Sequence, residues 1–367
     1  APAAVPFVWL LGLTELAVRL PAVIFGTLTP IVLYFLIKEI SKDEKLSLIS
    51  AGVLAFLPWH IHFSRGAWEA NVMVFLVTLG SYCVLKWLNG RMVKWLAGGL
   101  AFFFLALITY QGAKLVVPLI GLGLLYFGVR ILNQEPAGWK ELFVPRFLIP
   151  GSVFLILVLG WYAASFSGSA SNRLKVMSLF SYQPPDREVG CLYYLRGGLS
   201  RYFSHFSPEF IGFIGDWKKA RHSAPYFGVI GHLGFLLLIL GLIKFAKDNQ
   251  NWQNNYFLYW LAVSPLPAAL TRDSVSSVRA IVMVIPIAFF IACGIKELLV
   301  IKKKLLRVTG YVLLITFFAF DFIFYLDLYY KHMVKLHPKQ WLFGYREAVG
   351  KIIENKENYN EIIMTDF

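Results

Sequence analysis

The sequence predicts an all-α polytopic membrane protein of about ten transmembrane helices, running at its C-terminal end into the start of an external α/β domain. Three observations predict it. Hydrophobic residues make up 58% of the 367 and charged residues only 15%, where a soluble domain carries about a quarter charged residues. A chain this apolar cannot cover itself with polar surface and needs lipid as its solvent. Apolar runs close to the roughly 20 residues that cross a bilayer recur along most of its length. Lysine and arginine, which give a net charge of +14, fall mainly in the loops on one side of those runs. This is how a basic, apolar chain distributes charge around a membrane, and it removes any need for a nucleic-acid partner.

Taken in order, residues 2–13 are apolar but too short to span and suit a helix lying along the outer interface. They open a first external region, residues 1–16. The runs then read 17–37, 45–58, 69–87, 93–110, 113–133 and 147–166, which fill a membrane segment over 17–166. Residues 167–226 form an external loop region, polar and aromatic, too long for a simple connector. A second membrane segment, 227–327, holds the runs 227–246, 254–270, 278–300 and 308–327. The runs 45–58 and 254–270 are short or bounded by proline. All must be helices, because backbone groups in hydrocarbon have to be satisfied within the segment. Residues 328–367 start an external soluble domain: Tyr345, Ala348, Val349, Ile352 and Ile353 repeat like a helix face, and 361–365 reads as a strand. A helix and one unpaired strand do not finish a domain, and the chain opens with Ala1. Both ends read as cuts in a longer protein.

Orientation follows from alternate loops. One side gathers Lys38, Lys42, Lys45, Lys86, Arg91, Lys94, Arg130, Lys140, Arg146, Lys244, Lys247, Lys296, Lys302, Lys303, Lys304 and Arg307. The short loops of the other side hold Arg65, Lys114, Arg272 and Arg279. The richer side is cytoplasmic, which places 167–226 and the tail on the external face of the cytoplasmic (inner) membrane.

Chemistry has few places to sit. Cys83, Cys191 and Cys293 lie far apart, without metal or disulfide spacing. Asp321 is the clearest charge inside a span, which reads either as a functional group or, structurally, as a helix end or a pair with a neighbouring donor. The turn LPWHIHFSRGAWEAN carries His60, His62, Arg65 and Glu69. Arg65 and Glu69 stand four apart, as on one helix face. Two readings apply to them: an interfacial salt bridge, or a guanidinium fork gripping a phosphate with Glu69 orienting it or touching a sugar hydroxyl. His60 and His62 alternate like strand residues and lack a third ligand, so no metal site is assigned. Two further outer turns supply Tyr110, Gln111 and Lys114, then Arg272, Asp273 and Arg279. Three turns each offering a cation suit one anionic lipid headgroup, although each cation alone also suits an interfacial anchor. No Walker loop or dinucleotide fingerprint is present, so an enzyme of this kind draws its substrate from the membrane.

Four segments, LTELAVRLPAVIFG (13–26), FLPWHIHFSRGAWEAN (56–71), LITYQGAKLVVPL (107–119) and SVRAIVMVIPIAFFIACGI (277–295), resemble in order and topology the bacterial membrane-integral glycosyltransferases of the type C (GT-C) fold. These are similar to dolichyl-phosphate-mannose-protein mannosyltransferases and aminoarabinose transferases. Residues 202–231 and 343–366 resemble the same family. The resemblance implies transfer of a hexose or pentose from a polyprenyl-phosphate sugar donor to a lipid, glycan or protein acceptor at the outer face, in cell-envelope glycosylation. It implies an inverting reaction whose catalytic acidic pair precedes the LTELAVRLP-like segment, hence before Ala1, so that these 367 residues alone should be inactive. It further implies Arg65, with Lys114 and Arg279, as lipid-phosphate-binding residues. Glu69, Tyr110, His205 and Asp216 are then sugar or acceptor contacts, or residues that order an external loop. No cofactor is expected, and a divalent metal stays an open question. A flippase for lipid-linked glycans and a non-catalytic membrane scaffold are the alternatives.

Overall fold

Each of the ten expected runs is helical. The computed structural model describes residues 2–90, 92–132, 145–166, 176–181, 190–216, 219–247, 252–300, 303–341 and 344–359, with 361 and 363. Its helices are α1 (Val5–Leu11), α2 (Glu15–Ser41), α3 (Glu44–Phe56), α4 (Pro58–Arg65), α5 (Glu69–Gly90), α6 (Val93–Thr109), α7 (Ala113–Leu132) and α8 (Pro145–Phe166). Further along the chain come α9 (Cys191–Ser204), α10 (Gly231–Lys247), α11 (Trp252–Val263), α12 (Leu266–Ala269), α13 (Val284–Leu299), α14 (Lys304–Asp327), α15 (Met333–Leu336) and α16 (Tyr345–Asn355). Among the described residues, β pairing is confined to an isolated antiparallel bridge between Ser178 and Thr271. The helix expected in the tail is α16; the strand expected at 361–365 lies outside the described residues.

Among the described residues, five helices are long and apolar enough to cross a membrane, and α3 with α4 makes a sixth if that pair, bent by 56°, counts as one span. Local signals set their ends. Thr14 and Asp43 cap α2 and α3 by accepting from Ala17 N–H and Leu46 N–H, which satisfies backbone donors that a helix start leaves open. The bend comes at Leu57, which is extended, with Pro58 in the first helical turn of α4, a position where a missing N–H costs nothing.

Burial sorts the bundle. In its most apolar stretch 83% of α5 is buried, against 17% for the helix that includes α14 and 6% for α8. So α5 is a central strut, while α8 and α14 turn most of their surface outward, as lipid-facing helices do. α10 and α13 cross in contact: a Cβ on Gly241 would sit 1.9 Å from the Phe290 carbonyl oxygen, and one on Gly294 2.3 Å from that of Leu237. Only glycine at both positions lets the two backbones approach this closely.

The ends of the bundle differ in charge. At one end Glu39 pairs with Lys42 at 3.0 Å and Lys86 at 3.8 Å, Lys244 with Glu297 at 3.4 Å, and Lys296 with Asp43. The termini of α2, α3, α5, α10 and α13 meet there, so this is one physical end, and it carries lysines that the sequence assigns to the cytoplasmic side. The opposite end, where α4 lies, holds the segments and the tail that the sequence assigns to the external face.

Candidate functional site

Short as it is, α4 is the element around which the second end is built. Its first N–H groups need acceptors, and Trp59 N–H donates 2.8 Å to the Val229 carbonyl. The Trp59 indole donates 3.1 Å to the Ser277 carbonyl. One turn on, His62 Nε2 is 2.9 Å from the Arg221 carbonyl oxygen. Helix α4 therefore docks segments more than 150 residues away in the chain. His60 and His62 are both buried on this helix, which corrects the strand-like alternation read from the sequence. An eight-residue helix is too short to show a helical period.

The buried polar centre of the site is Asp216, only 1% exposed. Its Oδ2 accepts from Ser277 N–H at 3.0 Å and from the Ser277 hydroxyl at 3.2 Å, and lies 3.2 Å from His222 Nδ1. The Ser277 hydroxyl is also 3.0 Å from the His222 carbonyl, and Asp216 N–H donates to Ser223 Oγ at 2.9 Å. Asp216 Oδ1 has no hydrogen-bond partner among the described residues. His205, fully buried, spends both ring nitrogens on backbone: Nδ1 is 2.7 Å from the Arg201 carbonyl, and Nε2 accepts from Ser276 N–H at 3.1 Å. That pairing assigns the ring proton to Nδ1. Burial lowers the pKa of His205 below the usual imidazole value, against the opposite pull of the Arg201 carbonyl and Asp216. Asp216 and His205 together latch the 205–230 segment onto the 276–277 turn.

Beside the latch sits an ion triad. Asp273 accepts from Arg279 Nη1 at 2.5 Å and from Lys219 at 2.8 Å, and Arg279 also donates to the Thr271 hydroxyl at 2.8 Å. Burial alone would raise the Asp273 pKa, but hydrogen bonds and charge from Lys219 and Arg279 outweigh it and hold the carboxyl below its ordinary value. A depressed carboxyl contributes its stability above the unfolded-state pKa and loses it as pH falls through the folded one. The triad is therefore intact at neutral pH.

Arg65 is held differently. It is exposed at the end of α4, with its guanidinium carbon 5.0 Å from the Tyr329 ring centroid and 4.5 Å from that of Tyr330. The two rings, at 87° to each other, flank the guanidinium and restrict it by cation–π contact. The Tyr329 ring also meets His62 at 5.4 Å, and His62 binds the Arg221 carbonyl, so Arg221 shares the Arg65 neighbourhood. The Arg221 guanidinium lies 6.0 Å from the Trp68 ring. Sequence reasoning passed over Arg221; its signal was the basic cluster in DWKKARH, which no periodicity links to α4. Arg65 and Glu69 do not share a helix, contrary to their four-residue spacing: α4 stops at Arg65 and Glu69 opens α5, half-buried in its first turn.

Of the other expected residues, Lys114 begins α7 with its ammonium 5.6 Å from the Trp161 ring, and its carbonyl accepts from the Tyr162 hydroxyl of α8. Tyr110 ends α6 and packs half-buried against the core. The structure thus brings Arg279, Asp216 and His205 onto one turn, and links Arg65 to the Arg221 backbone through Tyr329 and His62. Lys114 stands with α8, and no described contact joins it to either group. Groups of three or more His, Cys, Asp or Glu able to hold a metal do not occur among the described residues.

Below α4 opens an apolar groove of about 300 Å³ between α3, α10, α13 and α14, walled by Gly52, Phe56, Leu237, Ile291, Leu314 and Phe318 among others. Asp321 closes its α4 end with Pro58. Of the two structural readings of Asp321, pairing is the observed one: Oδ1 is 2.7 Å from His232 Nδ1, and Oδ2 accepts from Leu233 N–H at 3.1 Å, which caps α10 from a neighbouring helix. Gly231, at φ +76°, makes the turn that presents this N–H. A cavity with room for about one water adjoins the groove at Pro58 and is bounded by Trp59, His62, His222 and Tyr325.

No curated protein matches the chain. Residues 5–150, which run from α1 into α8 and include α4 and Arg65, match the family model of dolichyl-phosphate-mannose-protein mannosyltransferases, and the resemblance to the membrane-integral type C glycosyltransferases is borne out.

Proposed function

We propose that the full-length protein transfers a sugar from a polyprenyl-phosphate donor to a lipid, glycan or protein acceptor at the outer face of the cytoplasmic membrane. The observation that carries this reading is the apolar groove ending beneath α4, whose far end presents Arg65. An isoprenoid chain fits the groove by its chemistry. Eight helical residues at about 1.5 Å rise then separate the groove mouth from Arg65 by about 10 Å, a span that a phosphosugar head can bridge. In the reaction the acceptor oxygen bonds to the anomeric carbon as the bond from that carbon to the phosphate oxygen breaks. The hydroxyl proton passes to a carboxylate base that is not among the residues assigned here. Negative charge develops on the departing lipid phosphate, where Arg65, with Arg279 and Lys114 as further cations, stabilises it. Glu69 and Tyr110 are the sugar or acceptor contacts of this reading. His205 and Asp216 act by holding the external segment over α4.

Gly52→Leu tests the groove. A Cβ at Gly52 meets no atom within 4 Å, so the new side chain occupies groove space without displacing the bundle. The expected result with full-length protein is a KM for a long-chain polyprenyl-phosphate sugar raised about tenfold, from the loss of two methylene contacts, with KM for a ten-carbon analogue unchanged. Equal effects on both donors would remove the groove from the donor site.

A further inference from the structure

Helix α9 lies in the region that the sequence assigns wholly to a polar external loop, yet one of its faces is built for lipid. Its inner face packs on the bundle. Leu179 lies 3.6 Å from the Cβ position of Gly198, Phe180 meets Tyr194 at 5.7 Å, and the Tyr202 hydroxyl donates 2.8 Å to the Ala262 carbonyl. The adjoining face carries Leu192, Leu195, Leu199 and Phe203, exposed by 76, 56, 49 and 63%. At 100° per residue these four fall within an arc of about 80°, centred about 100° round the helix from the packed side. Single exposed apolar side chains need no explanation, but four in one stripe on a fourteen-residue helix do.

The level of the stripe identifies what covers it. Ala262 is in the last turn of α11, whose Tyr256, Phe257 and Trp260 are fully buried in the bundle core. The bond from Tyr202 therefore fixes the C-terminal half of α9 level with the end of a membrane-embedded helix, where Leu199 and Phe203 face outward. Arg196 flanks the stripe and is exposed, and α9 carries Arg196 and Arg201 with no acidic residue. A cationic helix with one apolar stripe matches the chemistry of an anionic bilayer surface, the stripe sinking to the boundary between headgroups and acyl chains.

We propose that α9 is a membrane-surface helix, its Leu192, Leu195, Leu199 and Phe203 stripe inserted into the leaflet on the α4 side of the bundle and Arg196 set at the lipid phosphates. Through His205, whose Nε2 accepts from Ser276 N–H one residue past the end of α9, the surface helix anchors the latched 205–230 segment to the bilayer. The test uses full-length protein in nanodiscs of phosphatidylglycerol and phosphatidylethanolamine, in a Cys191→Ser, Cys293→Ser background that keeps buried Cys83. Nitroxide labels go singly onto Leu192→Cys, Leu195→Cys, Leu199→Cys, Phe203→Cys and Ser200→Cys, all exposed positions whose replacement leaves the core untouched. The expected result is severalfold greater relaxation by oxygen than by a water-soluble nickel chelate at the four stripe positions, and the reverse at Ser200. Nickel access at Leu195 and Leu199 equal to that at Ser200 would overturn the proposal. So would dipolar broadening between two labelled copies, which would make the stripe a contact between chains.

Discussion

Arg65→Ala lowers kcat for sugar transfer by the full-length protein about 10²- to 10³-fold, the size of effect that follows loss of a single positioned donor to a developing oxyanion. Arg65 is singled out because it is exposed yet its guanidinium is held close to both the Tyr329 and Tyr330 rings. An exposed arginine usually samples many rotamers, and ordering it at the moment of reaction costs free energy. Two rings remove much of that cost in advance. Arg65→Lys keeps the charge but loses the planar fork, so its activity should fall between wild type and alanine. The checks are kcat with saturating donor, and protease mapping of the external segments to show that insertion is unchanged. Retained kcat in Arg65→Ala would make the residue an anchor for the tail.

Asp216→Ala unlatches the 205–230 segment at a cost of about 2–4 kcal/mol, because burial without an acceptor penalises each donor that the carboxylate now satisfies. The Ser277 N–H, the Ser277 hydroxyl and His222 Nδ1 all converge on Oδ2, in a place too enclosed for bulk water to substitute. Asp216→Asn keeps the shape and one acceptor oxygen, so its loss is smaller. Heating in detergent should show the order wild type, Asn, Ala. Limited proteolysis should cut Asp216→Ala first between 205 and 230, because the bundle packs through other residues. Wild-type thermal and proteolytic resistance in Asp216→Ala would show that His205 and the α4 contacts hold the segment without it.

The membrane frame was legible in the sequence because lipid imposes it one segment at a time: each helix must be long, apolar and internally hydrogen-bonded. For the same reason the caps at Thr14 and Asp43 and the break before Pro58 are local signals. The site was legible only in its parts. Arg65, Asp216 and Arg279 stand out as polar residues in apolar surroundings, but their partners are Tyr329 and Tyr330, Ser277 and His222, and Asp273 and Thr271. The carboxylate that binds Arg279 lay in the same quoted turn; Ser277 is 61 residues from Asp216, and no period or spacing connects them. α4 misled in the opposite sense, since four-residue spacing joined Arg65 to Glu69 across what is a helix break. Asp321 showed its intramembrane anomaly at once, whereas His232, 89 residues away, looked like any interfacial histidine. α9 escaped as a helix because its tyrosines, glycines and serines dilute the leucine period.

The most direct measurement incubates purified full-length protein in proteoliposomes with a polyprenyl-phosphate donor labelled in its sugar, and follows both the label and the lipid. Covalent transfer of the sugar to an acceptor, with one polyprenyl phosphate released for each sugar transferred, is the predicted result. Labelled lipid that crosses to the opposite leaflet chemically unchanged, with no product formed, would contradict it and make the groove a passage for lipid-linked glycans.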